Sequence, residues 1–172
     1  MTYLDQSELA EFHFLKLGEN VQISSDCRIY ESSRISIGNN VRIDDFAVIS
    51  GNVTINDNVH ISCGAKVTAT IEPIVIGIGS SLSYNCSVFS ASDDFIGHAK
   101  TNPTFSVGER NVHHERIDLG NNVVIGANCV ILPGSKLEDG CSVGALSLVQ
   151  GHLQTWKIYA GIPVREIGER SS

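Results

Sequence analysis

Residues 119–154 read LGNNVV IGANCV ILPGSK LEDGCS VGALSL VQGHLQ, and this stretch decides the fold. Every hexad begins with an aliphatic residue, and its fifth residue is mostly small. The first positions are Leu119, Ile125, Ile131, Leu137, Val143 and Val149. A period of six fits neither the 3.6-residue helix nor the two-residue strand. It is typical of a parallel β-helix, in which each hexad supplies one strand and one turn, and three hexads close a triangular coil.

The same pattern occurs earlier in the chain, from Leu17 and again from Ile37 to Lys66. It is blurred after Val67, where we read it from Ile78 as IGSSLS and YNCSVF. Burying each first-position side chain contributes about 1.5–3 kcal/mol, so the stacked repeats outweigh local helix preferences. The five cysteines are an odd number without CxxC spacing, which is typical of neither a disulfide framework nor a zinc knuckle.

Two segments do not follow the repeat. Asp5 and Glu8 have the spacing of a capping box, which predicts a short helix that covers the first coil. We therefore expect a capping helix within residues 1–16, a single β-helix domain over 17–155 and a C-terminal tail over 156–172. Residues 91–118 interrupt the domain as one long excursion, and long excursions from compact repeats are usually functional or disordered.

Composition excludes several classes of protein. The chain of 172 residues has 12 basic and 19 acidic residues, a net charge of −7, which disfavours nucleic-acid binding. No apolar run approaches the roughly 20 residues that span a bilayer, so membrane insertion is not expected. The N-terminal MTYLDQSELAEF lacks the basic and then apolar residues of a signal peptide. These features predict a cytoplasmic protein.

The excursion concentrates side chains that carry out acid–base chemistry. It holds two adjacent aspartates and three of the six histidines of the chain. These candidate catalytic residues are Asp93, Asp94, His98, His113 and His114. Any one of them alone is equally well explained as a solvated polar residue, but together they mark a candidate site.

The hexads, the single long excursion and the tail WKIYAGIPVREI resemble the hexapeptide-repeat acyltransferases. The segments VRIDDFAVIS, SASDDF and VGALSLVQ are similar to the sugar O-acetyltransferase branch of that family, which acts in lipopolysaccharide and galactoside acetylation. The resemblance implies a left-handed β-helix, a homotrimer with active sites between subunits, acetyl-CoA as co-substrate, a sugar acceptor under the excursion, and no metal.

The resemblance also implies residues that contact the coenzyme. Small corner residues would let the backbone approach pantetheine and supply an N–H to the oxyanion; they are Gly126, Ala127, Gly144 and Ala145. Lys157 and Arg165 are candidates for the coenzyme phosphates, and Gly161 and Pro163 for the adenine end. Surface Lys and Arg residues are more often merely solvated, and each small corner residue is equally well explained by the turn alone.

The general base is where the chain departs from the resemblance. Better-known members have a histidine at the start of the excursion, whereas Asp93 stands at or near that place here. An ordinary aspartate, with a pKa of about 3.9, is a weaker base at neutral pH than a histidine near 6.5. Our hypothesis is that Asp93 or Asp94 orients a histidine, with His98 favoured over His113 and His114.

The sequence leads to one principal function and three alternatives. The principal function is acetyl transfer from acetyl-CoA to a saccharide hydroxyl in surface polysaccharide biosynthesis. The first alternative is N-acetylation of a nucleotide-linked aminosugar, and the others are a γ-type carbonic anhydrase and a non-catalytic scaffold. A zinc site needs converging imidazoles, and His113 and His114 would face opposite sides of an extended strand.

Overall fold

A computed structural model describes residues 2–171 of the chain. Its single α-helix, α1, runs over Gln6–Glu11 and begins at Asp5, whose side chain caps it together with Glu8 as predicted. The helix buries Leu9 against the core. No helix among these residues is long and apolar enough to cross a bilayer. Met1 and Ser172, at the ends of the predicted helix segment and tail, lie outside the described residues.

The remainder of the chain winds into a triangular prism with three parallel faces. The first face contains β1 (Lys16–Leu17), β4 (Ile35–Ile37), β7 (Val53–Ile55), β10 (Ile74–Ile76), β15 (Ile117–Leu119), β18 (Lys136–Leu137) and β21 (His152–Leu153). The second contains β2 (Gln22–Ile23), β5 (Arg42–Ile43), β8 (His60–Ile61), β11 (Ser81–Leu82), β16 (Val124–Ile125), β19 (Ser142–Val143) and β22 (Lys157–Ala160). The third contains β3 (Arg28–Tyr30), β6 (Val48–Ser50), β9 (Lys66–Thr68), β12 (Ser87–Phe89), β17 (Val130–Ile131) and β20 (Leu148–Val149).

Three further strands are antiparallel. Strand β23 (Arg165–Glu169) folds back onto β22 and closes the second face. Strands β13 (Ala91–Ser92) and β14 (His113–His114) form a two-stranded hairpin at the base of the excursion. There are two 3₁₀ turns: Ser32–Arg34 lies in a corner of the prism, and Val107–Glu109 lies in the excursion.

The core of the prism is the stack of first- and fifth-position side chains. All six first-position residues from Leu119 to Val149 are buried. The fifth positions Cys129 and Cys141 are buried too, as expected of small residues beside a corner. This arrangement follows from the sequence, because side chains at these two positions point inward in every coil. The predicted parallel β-helix is confirmed.

The predicted register was wrong at two places. Ile76, not Ile78, occupies the first position, because Ile76 pairs with Leu119 while Ile78 is exposed. This shift places Cys86 on a buried fifth position. Leu153 pairs with Leu137 and is therefore a first-position residue. The parallel pairing continues to Tyr159, four residues beyond the boundary predicted at 155.

Candidate active site

The excursion leaves the prism between the third and first faces and is anchored by its hairpin. Ala91 lies opposite His114, and Ser92 lies opposite His113. The buried Ser90 accepts the backbone N–H of Glu115 through its carbonyl oxygen at 3.0 Å, which extends this pairing toward the prism. Because successive side chains of a strand point to opposite sides, His113 and His114 face opposite sides of the hairpin.

A cavity lies on each side of the hairpin. The His114 cavity, of about 480 Å³, is lined by Ala91 and His114 together with Thr70, Ile71, Val107, Arg110, Asn111 and Val112. The His113 cavity, of about 430 Å³, is lined by Ser92 and His113 together with Phe95, Glu115, Leu132, Pro133, Leu148 and Gln150. Volumes of this size are typical of small-molecule sites.

Two smaller cavities are also lined by residues of the excursion. The Asp93 cavity, of about 230 Å³, is lined by Ala91, Ser92, Asp93, Pro103, Arg110 and Val112. It shares Arg110 with the His114 cavity and Ser92 with the His113 cavity, so it lies between the two. The His98 cavity, of about 390 Å³, is lined by Gly97, His98, Ala99, Lys100 and Glu109.

Asp94 stabilises the backbone of the excursion. Its side chain is only 7% exposed and accepts the backbone N–H groups of Ile96, Gly97 and His98 at 3.0–3.2 Å. Burial raises the pKa of this carboxyl, but the three backbone donors and the nearby His98 imidazole outweigh burial and hold the pKa below its ordinary value. The structure thus gives Asp94 a fully satisfied, ionised side chain.

Asp93 has a different environment from its neighbour. It is half-buried in the Asp93 cavity, and among the described residues its carboxylate has no hydrogen-bond or ion-pair partner. The predicted contact between an aspartate and a histidine ring is absent from this part of the chain. Asp94 bonds to the backbone of His98 instead of its ring, because the turn presents three N–H groups to the carboxylate.

The three histidines of the excursion are separated. The His114 ring bonds the Thr70 hydroxyl at 2.9 Å, and the His113 ring bonds the Glu115 carboxylate at 2.9 Å. His98 lines its own cavity beside Lys100. Within one chain, the five predicted catalytic residues therefore lie in or beside four cavities and do not form a single cluster. No group of three potential metal ligands occurs among residues 2–171.

The residues proposed to contact the coenzyme divide into two groups. Gly126, Ala127, Gly144 and Ala145 follow β16 and β19, at the edge between the second and third faces. A methyl group on Gly126 would lie 2.4 Å from the Ala145 nitrogen, so this glycine is required for stacking of the coils. Its small size thus has a structural reason, which sequence alone did not separate from a role toward the coenzyme.

The second group lies beyond the last coil. Gly161, with φ of +107°, and Pro163 belong to the turn before β23. Arg165 is exposed, whereas the Lys157 ammonium contacts Glu166 at 3.1 Å and Glu169 at 2.6 Å. Glu169 and Glu166 raise the pKa of Lys157, which stays protonated, and their negative charges compensate its positive charge; this argues against its predicted role as a phosphate ligand.

The comparison with known families matches this architecture. The family described as "Bacterial transferase hexapeptide (six repeats)" matches residues 34–69 and 117–151. The chain is 36% identical to an Escherichia coli protein named dTDP-4-amino-4,6-dideoxy-D-glucose acyltransferase, over 99% of this chain and 90% of the relative. It is 28% identical to the putative lipopolysaccharide biosynthesis O-acetyl transferase WbbJ of E. coli K12, over 82% of this chain and 74% of that protein.

Solved structures of the N-acyltransferase AntD from Bacillus cereus are similar over almost the whole chain. The complex with dTDP and 3-hydroxybutyryl-CoA is 40% identical with a TM-score of 0.96, covering 98% of this chain and 90% of AntD. A serine-to-alanine variant, bound to dTDP-4-amino-4,6-dideoxyglucose and coenzyme A, has a TM-score of 0.98 at 38% identity, covering 99% and 92%.

The chain belongs to the hexapeptide-repeat acyltransferases. The predicted left-handed β-helix and the prediction of an acyltransferase are confirmed by these relatives. The predicted co-substrate, acetyl-CoA, is of the same class as the coenzyme A and 3-hydroxybutyryl-CoA in the AntD complexes.

Proposed function

We propose that this protein transfers an acyl group from acyl-CoA to the amino group of a dTDP-linked 4-amino-4,6-dideoxysugar. The observation that carries the proposal is the similarity, over nearly the full length, to relatives named or crystallised as N-acyltransferases of such a sugar. Relatives with O-acetyltransferase names are 28–30% identical and align over less of the chain. The aminosugar alternative is thus better supported than the saccharide hydroxyl, the acceptor that the sequence alone favours.

The chemistry defines what the site must supply. An amine reaches the site as an ammonium ion, and one proton must leave before its lone pair attacks the thioester carbonyl. The new C–N bond then replaces the C–S bond; the attacking nitrogen loses a second proton, and the departing thiolate takes up one proton to give free coenzyme A. The tetrahedral intermediate carries an oxyanion, which a backbone N–H at a coil corner can stabilise.

Asp93 is our candidate for the residue that contacts the amine. Its carboxylate lacks a partner among the described residues and lines a cavity large enough for a sugar ring. A carboxylate attracts the ammonium form, orients the amino group and provides an acceptor for a departing proton. Asp94 holds the turn that carries Asp93, so we assign Asp94 a positioning role through the backbone N–H groups it accepts.

We place the acyl-CoA on the opposite side of the hairpin. The His113 cavity has an apolar wall formed by Leu132 and Leu148, which suits the acyl group and pantetheine. Ser92 lines both this cavity and the Asp93 cavity, so an acyl carbon and a sugar amine can meet beside Ser92. The remaining coenzyme contacts, at Gly126, Ala127, Gly144, Ala145, Gly161, Pro163 and Arg165, stay predictions.

A homotrimer would complete the site. Phe46 and Leu146 are 68% and 66% exposed, and both adopt a left-handed backbone with φ near +60° at corners where other coils have glycine or asparagine. That conformation costs roughly 1–2 kcal/mol for such residues, and their exposure in the single chain adds to the cost. Contact with another copy of the chain along this edge explains why large apolar residues stand there.

The proposed setting is the cytoplasm and surface polysaccharide biosynthesis. All five cysteines are free, including the half-buried Cys63, which suits a reducing compartment. An N-acylated nucleotide sugar is an activated glycosyl donor, so a glycosyltransferase must be the class of enzyme that consumes this product.

The test compares two acceptors that differ in one group. Purified protein is incubated with acetyl-CoA and either dTDP-4-amino-4,6-dideoxyglucose or the same sugar nucleotide with a hydroxyl at C4, and released thiol is followed. We expect turnover with the amine at least 100-fold above that with the hydroxyl. Equal or greater turnover with the hydroxyl would reject N-acylation, and sedimentation of the same sample measures the oligomeric state.

A further inference from the structure

Arg110 has an unusual environment in the excursion. Its Nε atom is buried and has no hydrogen-bond partner. Leaving a donor of a charged group buried and unpaired is costly, so such groups normally have a partner. Within residues 2–171 the Arg110 guanidinium makes no ion pair with any acid. The positive charge of Arg110 therefore has no counter-charge among the described residues, and an anionic ligand in the cavities that Arg110 lines would supply one.

The acids near Arg110 in the sequence or in space are engaged elsewhere or form no salt bridge with it. The Glu109 carboxylate accepts both the backbone N–H and the hydroxyl of Ser106 at 3.2 Å and 2.6 Å. Asp93 lines the same cavity as Arg110 but forms no salt bridge with it. By contrast Arg116, the other arginine of the excursion, holds Asp118 through two of its nitrogens. Arg110 is thus positively charged, oriented by the fold and available.

The position of Arg110 indicates what the ligand is. It lines both the His114 cavity and the Asp93 cavity, at the point where they meet. The His114 cavity has apolar walls at Ile71 and Val107, which are 67% and 81% exposed and offer contact area to a flat ring. The Asp93 cavity is half the volume and contains the free carboxylate.

We propose that Arg110 binds the diphosphate of a nucleotide-linked acceptor, with the nucleoside in the His114 cavity and the aminosugar in the Asp93 cavity. This inference rests on the proposed function. The order of chemical groups along such an acceptor is aromatic base, anion and amine, and it matches the order of apolar wall, guanidinium and carboxylate along the two cavities. A guanidinium suits this role because its planar donors bind two phosphate oxygens at once.

The test measures binding without any acyl transfer. Calorimetry with dTDP, thymidine and coenzyme A is performed on the wild-type protein and on the variants Arg110→Ala, Arg110→Lys and Arg116→Ala. We expect Arg110→Ala to weaken dTDP binding by about 10- to 100-fold, and to leave thymidine and coenzyme A affinities unchanged. Arg110→Lys keeps the charge without the bidentate geometry, so its affinity for dTDP should lie between those of the wild type and Arg110→Ala. Arg116→Ala should bind dTDP as the wild type does.

Several outcomes would overturn the assignment. Wild-type affinity for dTDP in both Arg110 variants would show that the diphosphate lies elsewhere. Equal losses for dTDP and thymidine, or a changed sedimentation coefficient in Arg110→Lys, would show that Arg110 bonds a neighbouring copy instead. If the wild type acylates the aminosugar nucleotide while the variants bind dTDP normally, only the Arg110 assignment fails. If the wild type neither binds dTDP nor acylates that sugar, the proposed function fails with it.

Discussion

The Asp94 carboxylate accepts the backbone N–H of His98 at 3.1 Å, so the aspartate holds the main chain of the residue whose ring it was expected to orient. The same carboxylate accepts two further backbone N–H groups, while the adjacent Asp93 has no partner among the described residues. Two neighbouring carboxylates in one turn therefore have different tasks: one stabilises the turn and the other is exposed to the cavity.

This difference predicts separate effects for a truncating variant of Asp94 and an isosteric variant of Asp93. Asp94→Ala should accelerate amide hydrogen exchange at residues 96–98 by on the order of tenfold, because those amides lose their acceptor. Asp93→Asn should leave exchange unchanged and lower turnover of the aminosugar by about 100-fold, the size of a lost acid–base contribution. Exchange mass spectrometry and thiol release measure the two effects. Faster exchange in Asp93→Asn, or full activity in that variant, would contradict the assignment.

The pH dependence of the turn follows from the lowered pKa of Asp94. In the folded protein this pKa lies below its unfolded value of about 3.9. The stabilising contribution is therefore fully present above the unfolded pKa and is lost as the pH falls through the folded pKa. Protection of amides 96–98 should stay constant from pH 8 to about 5 and decline only below about 4. A midpoint near neutral pH in an NMR titration would mean that a histidine, not Asp94, controls the turn.

The hairpin predicts different kinetic effects for its two histidines. His114 faces the cavity proposed for the nucleoside, and His113 faces the cavity proposed for the acyl-CoA. His114→Ala should raise the KM for the sugar nucleotide several-fold, and His113→Ala should raise the KM for acyl-CoA by a similar factor.

The control for this pair is His152→Ala. His152 also bonds a glutamate, Glu138, but lies outside the excursion, so neither KM should change in that variant. If both excursion variants raised the same KM, the hairpin would not separate donor from acceptor. If one of them lost turnover by 100-fold or more with KM unchanged, that histidine would act as the general base and Asp93 would not.

The sequence was sufficient for the fold because one periodic constraint operates in every coil. Where a corner is longer or shorter than the hexad, the period breaks and the sequence no longer fixes the register. Ile76 follows Val67 by nine residues and Leu153 follows Val149 by four, so the hexad pattern assigns both to the wrong position. The excursion has no period at all. Its acids and histidines could be named from the sequence, but their grouping depends on the pairing of Ser92 with His113, which composition does not encode.

Arg110 shows most plainly what sequence reasoning cannot detect. An arginine beside Glu109 in a polar segment has the sequence context of a solvated charge. Its significance comes from two facts of the folded chain, namely that Glu109 bonds Ser106 and that the Arg110 Nε atom is buried without a partner. Likewise the sequence could not show that the charge of Lys157 is compensated by two carboxylates, because Glu166 and Glu169 reach it only when β23 folds back onto β22.

The last prediction distinguishes Gly126, where the packing leaves no room for a side chain, from Gly108, where a side chain would meet nothing. A methyl group at Gly126 would lie 2.4 Å from the Ala145 nitrogen and 2.8 Å from its Cα, and both atoms are backbone of the next coil. Gly126→Ala must therefore push two coils apart, and we expect a loss of about 1–3 kcal/mol in the free energy of unfolding. Gly108→Ala is the matched control, because nothing lies within 4 Å of its added methyl group, and its effect should stay within about 0.5 kcal/mol. Urea unfolding measures both effects. An unchanged free energy of unfolding in Gly126→Ala would show that stacking of the coils does not require glycine here, and would favour contact with the coenzyme as the reason for it.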